Sequence, residues 1–480
     1  MAVANATSCP QCQRFQAQLD AQRVEIESLR ATVARLQEQL ASARKDSSTS
    51  SKPPSSDIVK PPRTPLGQDH RPRSPGGQPG HPRHGRALFP CDQITLFAEH
   101  PLHGCPDCGG TLRQKGGLVH VVQQVDIREP PRTIEQHTCP EYWCDRCAKG
   151  YKASLPSHVA RGGILGPRLT ALVAYLKGVC HASFSTVRKF LRDIVGLTIS
   201  RGQLAKVIAK VSEALQRPYE ELLADLRGQA RLNVDETGHK DQGERLWTWC
   251  FRAELYTLFK IDPRRSADVL LEVLGAEFDG VLGCDCFSAY RRYMRECGVR
   301  LQFCLAHLIR EVKYLTTLPD APTRRYGERL REALRRLFQV IHCQGELSAA
   351  DFGTRLQAAR AEVLRCGTSA VPEGKHSQAL AKRLRKYGES YFTFITTPGL
   401  EPTNNLAEQA IRFVVIDRHI TQGTRAETGQ RWCERIWTVI ATCTQQGRSV
   451  WECLQAAVQA WSVEEEVPTL LPCEGGAKRG

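Results

Sequence analysis

The chain has no long hydrophobic run. Nowhere do about 18 or more uncharged apolar residues follow one another, which argues against a membrane-spanning helix. Its start, MAVANATSCPQCQRF, shows no basic n-region followed by an apolar h-region, so a cytoplasmic protein is expected. Acidic residues are in the minority. Against 66 Lys and Arg stand 51 Asp and Glu, a formal charge of +15, which favours a polyanionic partner because neutralised phosphates release counterions. Disulfides are not expected either. In a reducing compartment the 20 cysteines read as metal ligands where they form C-x-x-C pairs and as small core residues elsewhere. With 480 residues, about three or four folded units are expected.

From Phe15 to Ala43 apolar residues keep a heptad register, with Leu19, Ile26, Val33 and Leu40 at a, and Phe15, Leu29, Leu36 and Ala43 at d; Gln22 interrupts the seam. About four heptads of this kind predict a parallel two-stranded coiled coil over 13–44 and hence a homo-oligomer, with a helix packed on its own protein as the alternative. Residues 45–90, with SSKPPSSD and GGQPGHPRHGR, have almost nothing to bury and are expected to be a basic, disordered linker.

Residues 91–160 carry Cys105-Pro-Asp-Cys108 and Cys144-Asp-Arg-Cys147. Each knuckle places two sulfurs on one tight turn, and the intervening VHVVQQVDI is expected to return the second pair to the first, so a β-rich zinc ribbon is expected with these four cysteines around Zn²⁺. Cys139 could replace one ligand, and Cys9 and Cys12 form a further C-x-x-C without a matching pair.

Residues 164–228 read as helices with a break at Gly196–Ser200, the outline of a helix-turn-helix. Arg188, Lys189, Arg201 and Lys206 would suit a DNA-facing surface, although any helical bundle gives such a pattern.

From Arg231 the periodicity becomes strand-like. RLNVDETG, then ERLWTWCFRAELYTLFKID as two strands, SADVLLEVLG as a helix, GVLGCDCF and VRLQFCLAH as strands running into helices give three strands, helix, strand, helix, strand, helix. This succession resembles the α/β RNase H-like fold, expected here over 229–445 with a basic helical insertion at about 315–398, ahead of a C-terminal helix and tail at 446–480.

Asp235 is placed at the end of the first strand, Asp285 at the end of the buried fourth, and Glu408 on the helix NNLAEQAIR, where it shares a face with Asn404 and Arg412. Two carboxylates ~4 Å apart repel by roughly 4 kcal/mol at an effective dielectric of 20, so such a cluster needs cations. Oxygen ligands favour a Mg²⁺ or Mn²⁺ pair ~3.5 to 4 Å apart, the arrangement of metal-dependent phosphoryl transfer. Glu236 rivals Asp235 for the first position, and Asp279 is a weaker rival to Asp285. Cys304-Leu-Ala-His307 looks like half a zinc site without a companion pair, which favours a core role for Cys304 and a supporting or DNA-contacting role for His307.

Together SSKPPSSD, GGQPGH, the paired knuckles, VDET, GCDCFSAY, C-x-x-H with Arg310, NNLAEQAIR and RWCERIWTVIATCTQQG resemble the TnpC-type transposases of the bacterial insertion-sequence sixty-six family over nearly the whole chain. The resemblance implies a DDE transposase with Asp235, Asp285 and Glu408 as catalytic acids, cutting DNA at transposon ends and joining the freed strand to target DNA. It also implies a nucleoid-associated location and small accessory transposition proteins. Glu236, His307, Asn404 and Arg412 are expected to support the acids, and Arg310 and Arg418 to contact DNA. The sequence departs from the pattern at Cys9 and Cys12, and is looser around Val414-Val-Ile-Asp417-Arg418. Two other classes stay open: an inactive zinc-containing DNA-binding regulator, and an RNase H-like nuclease that cuts without rejoining.

Overall fold

The computed structural model describes residues 10–43, 45, 88–97, 107–108, 121, 123–125, 131–139, 141–146, 148–152 and 154–472. Cys9, Cys105, Cys147, the side chains of Cys12 and Cys144, and the SSKPPSSD and GGQPGHPRHGR tracts lie outside the described residues. Among the described residues no helix is long and apolar enough to cross a membrane. The chain divides into two compact units, a smaller one of 62–136 and 191–197 and a larger one holding the rest.

In the smaller unit, the side-chain amide of Gln123 bridges the backbone of Phe89, accepting its N–H at 2.7 Å and donating to its carbonyl at 3.0 Å. The described parts of VHVVQQVDI, Val121 and Gln123–Val125, carry no strand. Arg132 donates to the carbonyl of Val195 at 3.1 Å, tying down the segment that follows the first helix of the helix-turn-helix outline.

The larger unit opens with α1 (Pro10–Ala43), whose apolar positions Phe15, Leu19, Ile26, Leu29, Val33, Leu36 and Leu40 are all exposed. Its C-terminal part meets the same unit where Glu38 pairs with His376 at 3.2 Å. An antiparallel hairpin follows, β1 (Glu141–Cys144) with β2 (Lys149–Lys152), in which Cys144 faces Lys149 across the turn. Next come α2 (Ser157–Gly162), α3 (Pro167–Gly178), α4 (Phe184–Phe190), α5 (Arg201–Ala214) and α6 (Gln216–Asp225). The Ser200 hydroxyl caps α5 by accepting the Gln203 N–H at 3.1 Å.

The sheet is built from β3 (Arg231–Asp241), β4 (Glu244–Arg252), β5 (Thr257–Asp262), β6 (Val281–Cys284) and β7 (Arg300–Phe303), with α7 (Ala267–Leu274), α8 (Ser288–Cys297) and α9 (Leu305–Leu315) between and after its later strands. Its order is β5-β4-β3-β6-β7, antiparallel among β3, β4 and β5 and parallel from β3 through β6 to β7. The strands and helices follow in the succession expected from the periodicity, and β6 is buried throughout, as its unbroken apolar run requires. Gly283 sits beside Asn233 on β3, where a Cβ would meet the Asn233 amide at 2.5 Å.

Both sheet edges are covered by segments from outside the sheet. The helices α10 (Ala321–His342), α11 (Ala349–Thr368) and α12 (Lys375–Tyr387) follow α9, and the segment after them closes on β7, where Gln302 donates to the Tyr391 carbonyl at 3.0 Å and accepts the Phe394 N–H at 2.9 Å. Then follow α13 (Asn405–Thr421), α14 (Glu427–Gln445) and α15 (Val450–Val463). On α14, Glu434, Thr438 and Thr442 accept the outward N–H groups of Ile261, Phe259 and Thr257 at 2.7, 3.0 and 3.2 Å. Four helical residues rise about 6 Å and two strand residues span about 6.6 Å, so an i, i+4, i+8 row matches alternate residues of an edge strand. The edge is thereby closed to further pairing. Helix α15 packs on α2, α3 and α5, so the C-terminal helices and the α2–α6 layer share one core.

Candidate functional site

Strand β3 sends alternate side chains to opposite faces, and the two acids of VDET therefore part. Asn233, Asp235 and Thr237 face α13: Asn233 donates to the Asn404 side-chain oxygen at 2.9 Å, and Arg418 donates to the Thr237 hydroxyl at 3.1 Å. Glu236 points the other way and is buried. One of its oxygens takes two bonds from Arg265, at 2.9 and 2.7 Å, and the other accepts the Tyr290 hydroxyl at 2.5 Å. The Arg265 guanidinium lies over the rings of Phe287 and Trp247, at 4.2 and 4.4 Å.

Asn404 is the pivot of the α13 face. It is 1% exposed, donates through its amide to the Val234 carbonyl at 2.9 Å, and gives its backbone N–H to the Cys304 sulfur at 3.2 Å. These bonds fix the start of α13 against β3, and Glu408 stands one turn further along, with its N–H on the Asn404 carbonyl. Asp285 follows β6 and accepts the Phe287 N–H at 2.9 Å, while Asp235 accepts the N–H of Glu236 at 3.0 Å.

The charges of Asp285 and Glu408 both act on Asp235, and that of Glu408 acts on Asp285. Asp235 is pushed well above the ordinary carboxyl range, first by burial and then by the charges of Glu236, Asp285 and Glu408. Asp285 is pushed up to about 6 by burial and by Glu236, with Glu408 adding and Arg265 opposing. Glu408 accepts a bond from Arg310 on one oxygen at 3.3 Å; its other oxygen is buried, unpartnered and 3.6 Å from His307 Nδ1, itself unpartnered. Cys304, buried at the N-terminus of α9, lies with His307 and Glu408 in a group whose donor atoms are all within 4.8 Å of one another. Burial raises its thiol, while the N–H groups of Asn404, His307 and Ala306 favour the thiolate. A cleft of about 370 Å³ opens here, lined by Asp285, His307, Arg310, Arg383 and Tyr391 among others.

Of the remaining positions singled out from the sequence, Arg412 is exposed on α13, and Arg310 lies against Glu408. Arg188, Lys189, Arg201 and Lys206 are exposed, with Arg188 bonded to the Ile199 carbonyl and Arg201 to the Ser185 hydroxyl. Cys108 is exposed. Asp417 is buried between the His181 ring, at 2.8 Å, and the Trp437 indole, at 3.1 Å. Several arginines of the insertion pair along their own helices: Arg335 and Arg336 with Glu332, and Arg365 with Glu362. Sequence reasoning missed Arg265 and Tyr290, because the partners of Glu236 are far from it in sequence and follow no spacing rule.

A five-stranded mixed sheet flanked by helices defines the class, a mixed α/β protein. The family model described as Transposase IS66 family matches residues 162–431, more than half of the chain, and the chain belongs to that family. Membership implies a transposition-related, nucleic-acid-processing enzyme with DNA as its partner. Residues 8–87 match a family of unknown function, DUF6444. Among curated proteins the chain is similar to the uncharacterized protein y4jD of Sinorhizobium fredii, 26% identical over 359 residues that cover 68% of each chain. It is also similar to y4hP of the same species, 22% identical over 380 residues, 71% of this chain and 67% of the relative.

Proposed function

We propose that this chain is a DDE transposase on an RNase H-like core, cutting DNA at insertion-sequence ends and joining it to a target, with Asp235, Asp285 and Glu408 holding Mg²⁺ or Mn²⁺. The observation that carries the reading is the field these acids share: beyond burial, Asp235 is pushed up by Asp285 and Glu408 as well as by Glu236, and Asp285 by Glu236 and Glu408, while Glu236 itself is bound by Arg265. A cluster of three carboxylates that Arg310 offsets only at Glu408 is a liability unless cations complete it. The oxygen donors and the orphaned Glu408 oxygen fit hard divalent ions. When bound, such a pair activates the attacking oxygen and stabilises the leaving one.

The chain's own residues aim the acids. Asn404 anchors α13 to β3, the Phe287 and Glu236 N–H groups hold one oxygen each of Asp285 and Asp235, and Arg310 holds Glu408. Arg265 and Tyr290 keep Glu236 out of the cluster, which makes it a positioning residue. The exposed Arg188, Lys189, Arg201 and Lys206 supply a surface for DNA phosphates.

The other sequence units take their proposed places around this core. The exposed heptad seam of α1 suits a parallel coiled coil with a second copy. Cys105, Cys108, Cys144 and Cys147 are proposed to hold one structural Zn²⁺, on the spacing of the two C-x-x-C pairs in the sequence. Incubating the protein with a labelled element-end duplex and Mg²⁺ tests the reading. Nicking followed by joining is expected; nicking alone would make the chain a nuclease, and binding with no cleavage a regulator.

A further inference from the structure

The half zinc site read from Cys304-Leu-Ala-His307 has a companion in the fold, and it is Glu408 rather than a second knuckle. Cys304 and His307 stand one turn apart at the start of α9, and α13 brings Glu408 onto them. His307 Nδ1 and a Glu408 oxygen face each other at 3.6 Å, buried and without hydrogen-bond partners. An ordinary ion pair would close this gap to about 2.8 Å, whereas nitrogen and oxygen ligands of a tetrahedral zinc sit about 3.4 Å apart. On the third side the Cys304 sulfur receives the Asn404 N–H, as a metal thiolate does. Sulfur, nitrogen and a single carboxylate oxygen form a borderline-soft donor set, suited to zinc and poorly suited to magnesium.

We infer that Cys304, His307 and Glu408 form a second zinc site, with a fourth position open towards the cleft, whose filling takes Glu408 away from the acidic triad and switches the enzyme off. Binding requires the Cys304 thiol to release its proton to solvent, so zinc affinity rises with pH. The metal site itself stands on the three donors; its inhibitory consequence rests on the reading of Glu408 as a member of the triad.

The test counts zinc on the full-length protein, dialysed against buffered free Zn²⁺, for wild type, Cys304→Ser and His307→Gln. Wild type is expected to hold one zinc more than either variant. With Co²⁺ as probe, part of the thiolate charge-transfer absorption should vanish in Cys304→Ser. Cys304 is buried and its replacement can disturb folding, so His307→Gln, at a half-buried position, decides: a zinc count equal to wild type overturns the site. Wild-type nicking in Mg²⁺ should be lost over the same range of free zinc that fills the extra site, and nicking that continues with the site filled overturns the inhibitory role. A chain that gains the extra zinc yet never nicks DNA in Mg²⁺ defeats the transposase reading, and the inhibition with it, while the zinc count stands.

Discussion

Asp235 and Glu236 are neighbours on one strand, and their surroundings could hardly differ more. Glu236 is sealed in the core with an arginine and a tyrosine hydroxyl closing both of its oxygens. Asp235, one residue back, faces α13 among other carboxylates and is pushed far above its ordinary range. Glu236 is satisfied by the protein; Asp235, in the proposed reading, is left for a bound cation. Chemistry is expected where the fold leaves charge uncompensated, and stability where it compensates it.

The sharpest way to break this contrast is to neutralise each acid in turn. Asp235→Asn, Asp285→Asn and Glu408→Gln should each reduce cleavage and joining to background while transposon-end binding, followed by gel shift, stays near wild type. Retained joining by any one of them removes that residue from the catalytic set. Asn404→Ala should leave the acids in place but loosen α13, lowering the cleavage rate by roughly 10 to 100-fold, the usual cost of losing a residue that orients a metal ligand. A rate unchanged from wild type would deny Asn404 its anchoring role.

On the compensated side, Arg265→Ala strands Glu236 in the core. Breaking a buried pair costs about 3 to 5 kcal/mol, and because Arg265 keeps 38% of its side chain exposed the loss expected in urea unfolding is nearer ~2 kcal/mol. An opposite effect is expected at Asp285. Its carboxyl titrates near 6 against an ordinary 3.8, so in metal-free protein its ionisation opposes folding. That penalty is absent below the ordinary value, grows as the pH climbs from 3.8 to about 6, and is constant above. Asp285→Asn should therefore raise the metal-free Tm at pH 7 by about 2 to 4 °C for each kcal/mol relieved, and leave it unchanged at about pH 4. A fall in Tm at neutral pH would show that Asp285 is already compensated.

Much of this was legible in the sequence. The switch from helical to strand periodicity at Arg231 marked the sheet, and the apolar run around Leu282 marked its buried strand. Strand parity could separate Asp235 from Glu236 but could not say which face α13 would cover; that depends on Asn404 meeting Asn233 and Val234, a contact between distant stretches of chain. The cover on β5 was hidden for a similar reason. Glu434, Thr438 and Thr442 look like isolated polar residues in an apolar helix until the edge they serve is known. The insertion reads as basic and helical in sequence, yet several of its arginines are held by glutamates on their own helices, which composition alone does not reveal.

Diffraction from crystals of the protein bound to an element-end duplex and soaked in Mn²⁺, measured for anomalous scattering, addresses the central claim directly. Manganese peaks bridging Asp235, Asp285 and Glu408 are expected, with Glu236 still on Arg265. Manganese coordinated by Glu236 in place of Asp235, or no peak among the three acids while DNA is bound, would contradict it.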